Sequence, residues 1–111
     1  MPKSPLRSFD YYSIDHLINE GVDMVYDRNH YMTEGGEYLG IWHYEKWRVY
    51  IYPDIKQKKD EDITIVHEWL HAYETVILET MFTESQIDWW AHFHFRKAEY
   101  IRSFFPDFRT K

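Results

Sequence analysis

The segment from Thr64 to Glu74 contains the pattern His-Glu-x-x-His, at His67, Glu68 and His71, and it restricts the possible folds more than any other part of the chain. On a helix, side chains four residues apart lie on one face about 5–6 Å from each other, so the two imidazoles can share one metal ion. Glu68, about 100° round the helix from His67, can reach a water on that metal. The pattern therefore requires a helix. Two imidazoles leave a zinc site incomplete, because catalytic zinc is usually held by three protein ligands with one position open. A third ligand has to come from another element, and the fold has to carry that element to the histidine face.

The rest of the chain narrows the setting. A length of 111 residues suits one domain, 1–111, with a real core and no room for a second. A net charge of -6 argues against a phosphate-binding surface, so nucleic acid is not an expected partner. With no cysteine, disulfides, thiolate metal sites and cysteine nucleophiles are all excluded. The first residues, from Met1 to Arg7, form no apolar signal region, and no stretch approaches a membrane span, so a cytoplasmic protein with no membrane partner is expected. Aromatic residues make up 20% of the chain. Most should fill the core of so small a domain, and some are available to line a cleft.

Residues 1 to 9, with two prolines, read as an extended lead-in. Ile14, Leu17, Ile18, Val22 and Val25 recur at helical spacing, which predicts a helix from about Asp10 to Arg28 and Asn29, capped by Asp10 or Ser13. His16 and His30 fall here and read as surface or packing histidines. After Gly35 and Gly36, two β-rich runs, Glu37 to Tyr44 and Trp47 to Tyr52, predict strands joined by a tight turn at Glu45 and Lys46. Lys56 to Asp62 reads as a charged, exposed loop. Asp60 or Asp62 can cap the motif helix, whose stripe of Ile63, Val66, Leu70, Tyr73 and Ile77 should face the core. Thr83 to Gln86 reads as a capping box opening a last helix, with Ile87, Ala91, Phe95, Ala98 and Ile101 inward and Pro106 as its stop. The expected fold is α+β: an N-terminal helix, a small antiparallel sheet, and a helical hairpin whose facing ends can share a metal.

The flanks of the motif, Thr64, Ile65, Val66, Trp69, Leu70, Ala72 and Tyr73, are uncharged like those of zincin metallopeptidases, with Glu74 as a departure. Glu74 and Ile77 stand where the metzincin branch has glycine and histidine. A di-metal bundle would need a second Glu-x-x-His, and the chain has none. With Glu84 and Asp88 four residues apart beyond the motif, the chain resembles the minigluzincins, very small metallopeptidases of the thermolysin-like gluzincin clan. That resemblance implies a small zincin-like domain binding Zn²⁺ through His67, His71 and Glu84. Asp88 would accept a hydrogen bond from His67. Asp88, His92 and Glu99 stand as competing ligands, although His92 and His94, two apart, cannot both join one site. Glu74 reads as a neighbour of the ligands or as solvent-facing.

The activity implied is hydrolysis of peptide bonds in a peptide or unstructured protein, by a zinc-bound water with Glu68 as general base. An edge strand within residues 37 to 52 would hold the extended substrate. The resemblance also implies latency; the aromatic tail from Ser103 to Lys111, with Asp107 as a zinc-blocking carboxylate, is the candidate segment, against a terminus that simply frays or packs on the core. The alternative is a non-catalytic, zinc-stabilised protein-interaction domain, its fourth position closed by a ligand such as His92 or Asp107.

Overall fold

The computed structural model describes residues 4–27 and 39–106. Helix α1 (Tyr11–Glu20) starts where Asp10 and Ser13 satisfy one another: the Asp10 carboxylate accepts the Ser13 N–H at 3.0 Å, and the Ser13 hydroxyl accepts the Asp10 N–H at 3.2 Å. It ends at Gly21, whose φ of 110° suits a residue without a Cβ. The helix expected to run to Arg28 and Asn29 therefore stops at Glu20, and the chain continues as strand β1 (Asp23–Tyr26). Val22 and Val25 mimic helical spacing, but the buried residues of β1 are Met24 and Tyr26, two apart as on a strand face. Arg28, Asn29 and His30 lie outside the described residues, and His16 sits on the surface, 3.4 Å from Glu20.

Strands β2 (Gly40–His43) and β3 (Arg48–Ile51) are joined by a 3-10 turn at Tyr44–Lys46, with Trp47 left-handed at φ 51°. The sheet order is β1-β3-β2. β2 runs antiparallel to β3, but β1 is parallel to it, with Met24 opposite Val49 and Tyr26 opposite Ile51. The expected antiparallel sheet is thus a mixed one. Its third strand was hidden in the sequence by helix-like spacing.

The motif helix, α2 (Lys58–Ala72), starts earlier than its acidic residues suggest, after Gln57, and no side chain caps it. Neither Asp60 nor Asp62 is the cap. The segment read as an exposed loop holds the first turn of α2, and within it Glu61 and Asp62 are buried. Their charges are met from distant elements. Arg102 lies 3.2 Å from Glu61 and 2.5 Å from Asp62, and the Tyr26 hydroxyl donates to Glu61. Buried carboxylates persist where such partners offset their desolvation.

α2 continues into a π-helical segment, Tyr73–Leu78, which closes at Glu79 in a left-handed conformation. Helix α3 (Glu84–His94) opens on the expected box, with Thr83 Oγ1 accepting the Gln86 N–H at 3.1 Å and Gln86 Oε1 accepting the Thr83 N–H at 2.9 Å. The last helix is not continuous: a 3-10 turn at Phe95–Lys97 separates α3 from α4 (Ala98–Ser103), and the chain leaves the helix before Pro106. Ile65, Val66, Trp69 and Leu70 of α2 are fully buried, together with Ile87, Ala91, Ala98 and Ile101, while Ile63, Ile77 and Phe95 are only partly covered. The buried arc of α2 is wider than one stripe because the sheet covers one side and the later helices another. The result is a small compact α+β domain. Among the described residues no helix is long and apolar enough to cross a membrane. The aromatic residues divide: Trp69 and Phe9 are buried, whereas Trp89 and Phe93 stack 5.9 Å apart on the outer face of α3.

His94 ties the C-terminal half to the N-terminus, its Nε2–H donating to the Leu6 carbonyl at 3.0 Å while its Nδ1 accepts from the Lys97 ammonium at 2.9 Å. Burial, then the Lys97 charge, pushes its pKa below the usual histidine value, against weaker opposing pulls from the hydrogen bond to Leu6 and from Asp10. The unfolded chain therefore binds the proton more readily than the folded one. The stability this group contributes is complete above about pH 6.5 and declines as pH falls towards the lowered folded value. His94→Gln keeps a donor for Leu6 and is expected to remove this part of the acid sensitivity. Urea titrations below about pH 6.5 should show a shallower pH slope for the variant, by at most about 1.4 kcal/mol per pH unit. An unchanged slope would show that His94 does not titrate on unfolding.

Candidate metal centre

α2 presents His67 and His71 on one face, with ring centres 5.0 Å apart. α3 begins opposite them, because the Thr83 cap sets its first turn against that face, and its first residue is Glu84. The Glu84 carboxylate spans both rings, Oε2 lying 3.1 Å from His67 Nε2 and Oε1 3.0 Å from His71 Nε2. One donor atom from each of the three residues falls within 4.8 Å of the others. Ligand atoms around a tetrahedral zinc with bonds of about 2.0–2.1 Å stand about 3.4 Å apart, so the set fits such an ion with small side-chain adjustment. Both imidazoles are mostly buried and the Glu84 side chain is 74% exposed, which leaves the site open on the α3 side.

The competing ligands lie elsewhere. Asp88 Oδ1 is 3.6 Å from His67 Nδ1, a charge neighbour of that ring at a separation too long for the expected hydrogen bond. His92 Nδ1 is 2.9 Å from the Asp88 carbonyl of its own helix, and Glu99 pairs with Lys58 and Arg102. Asp107 lies outside the described residues. Glu74, three residues after His71, is buried, with Oε1 2.6 Å from His71 Nδ1.

Glu68 lies on the floor of the same cleft, which has a volume of about 450 Å³ and is lined by Gly40, Ile41, Trp42, His67, Glu68, His71 and Glu84. Burial raises its pKa above the usual carboxylate value. His67 and His71 pull it back down, Glu84 adds to the rise, and a hydrogen bond from the Trp42 backbone opposes it. Strand β2 supplies this wall because Gly40 lets it lie close to α2. A Cβ there would stand 2.9 Å from Thr64 Cγ2 and 3.2 Å from Glu68 Cγ. Trp42 is held in turn by its indole N–H, which donates to Thr75 Oγ1 at 3.1 Å, while the Thr75 hydroxyl donates to the His71 carbonyl at 3.0 Å.

The residues that sequence reasoning left unassigned at this site are Gly40, Trp42 and Thr75. The only sequence cue to them is a glycine within a β-rich run, which often marks a close backbone approach. The described part of the C-terminal tail packs away from the cleft. Phe105 lies 5.9 Å from Trp69, and Trp69, two residues from each histidine, is about 200° round α2 from either. The chain matches no family model, no curated protein and no solved structure.

Proposed function

We propose that the chain is a zinc-dependent endopeptidase of the minimal gluzincin kind, acting on peptides or unstructured proteins. The observation that carries this reading is the meeting, in one open cleft, of a three-donor group with a buried carboxylate that belongs to none of the donors: His67, His71 and Glu84 on one side and Glu68 on the other. Zn²⁺ held there would supply a Lewis acid and an acidified water. Glu68 would accept a proton at its carboxylate and return it to the leaving amine, and its burial strengthens its hold on that proton. The Trp42 N–H would hold Glu68 in place through the exchange. β2, at the edge of the sheet and lining the cleft, is placed to pair with an extended peptide backbone.

Stripping metal with a chelator is expected to abolish cleavage of casein and to lower the melting temperature, and restoring one equivalent of Zn²⁺ is expected to return both. Absence of stoichiometric zinc binding would overturn the proposal. One bound zinc without cleavage would favour the zinc-stabilised interaction domain.

A further inference from the structure

The π-helical segment after α2 places one buried carboxylate between the ring of His71 and the backbone N–H of Phe82. Glu74 is 4% exposed; one oxygen faces His71 Nδ1 at 2.6 Å, and the other accepts the Phe82 N–H at 2.8 Å. Its backbone carbonyl accepts the Thr80 N–H at 3.1 Å. π-Helical turns are rare and recur at functional sites. Here the carbonyl and the carboxylate of Glu74 both hold the connection from residue 79 to 83, and Thr83 caps the helix that starts with Glu84. The same side chain therefore touches the ring of one ligand and the segment that delivers another.

We propose that Glu74 is a positioning residue for the metal centre, setting the tautomer of His71 and the placement of Glu84 together. This rests on the zinc reading of His67, His71 and Glu84. An imidazole that binds a metal through Nε2 must carry its proton on Nδ1, and a carboxylate at 2.6 Å both stabilises that proton and fixes the ring plane. With that proton on Nδ1 both neighbours of Glu74 are donors, so only a group that accepts on both sides satisfies them. A glutamine cannot. With its oxygen towards Phe82, its amide N–H would face Nδ1 and favour the tautomer with the proton on Nε2, where the metal must bind. With its oxygen towards His71, the amide would oppose the Phe82 N–H.

The test is the affinity of the full chain for Zn²⁺, measured by competition with a chromophoric chelator, for the wild type and Glu74→Gln. The variant is expected to bind about 10–100-fold more weakly. Because its oxygen can still serve the Phe82 N–H, the metal-free melting temperature should be little changed. The visible spectrum of the Co²⁺-loaded variant should shift from that of the wild type, which loss of packing alone would not cause. Should the variant fold poorly, nuclear magnetic resonance of the zinc-loaded wild type decides: the His71 Nδ1 proton is expected to be present and protected from solvent exchange. An unprotonated Nδ1, or Glu74→Gln binding zinc as tightly as the wild type, would overturn the role while leaving the zinc reading intact. A folded wild type that binds no zinc would overturn that reading first, and this role with it.

Discussion

Glu68→Gln is expected to keep one zinc bound and to slow peptide hydrolysis about 10²–10⁴-fold, the usual contribution of a positioned general base. The amide has nearly the same shape, and its oxygen can still accept the Trp42 N–H, so the cleft wall formed by β2 should not move. It cannot take up a proton. Glu68 is outside the donor group, so zinc affinity should be close to that of the wild type. Replacing a buried carboxylate with a neutral group also removes a desolvation cost, so no loss of thermal stability is expected. Initial rates on a quenched fluorescent peptide, with zinc content measured on the same samples, make the comparison. Activity within tenfold of the wild type at full zinc loading would show that another group moves the proton.

The second large effect concerns the side of α2 turned away from the metal. Trp69→Ala should destabilise the fold by about 3–5 kcal/mol, the range for removing a large core aromatic. Trp69 is fully buried, its indole N–H lies 3.3 Å from Met24 Sδ of β1, and its ring is 5.9 Å from Phe105, just beyond α4. It thus joins the first strand, the motif helix and the C-terminal segment. Since the stability of a domain of this size is only about 5–15 kcal/mol, the substitution should remove a large fraction of it. Trp69→Phe, which keeps a ring and loses the weak contact to sulfur, should be clearly milder. Urea denaturation of the metal-free proteins measures both, and a loss below about 1 kcal/mol for the alanine variant would show that the surrounding side chains can close the space.

The two substitutions separate what α2 does on its two faces. One should stop chemistry in a folded protein, and the other should weaken the fold without touching a donor atom. Both faces are present in the stretch from Thr64 to Glu74, because side chains two apart on a helix point in nearly opposite directions.

What the sequence determined by itself is whatever depends on near neighbours. The spacing of His67 and His71, the cap formed by Asp10 and Ser13, and the box formed by Thr83 and Gln86 are settled within a few residues, and all three are present in the structure. The candidate ligand Glu84 was named through the resemblance, and the Thr83 cap beside it accounts only for its place at the start of α3. Tertiary structure decided what depends on partners far along the chain. Met24 and Tyr26 form a strand because β3 is there to pair with them. Glu61 and Asp62 are buried because Arg102 and Tyr26 meet their charges. Glu74 turns inward where the Phe82 N–H donates to one of its oxygens and the ring of His71 meets the other. A hydrogen-bonding pattern within one turn can be read from spacing alone, but burial of a charge is favourable only when its partner arrives, and the arrival of that partner is a property of the whole fold.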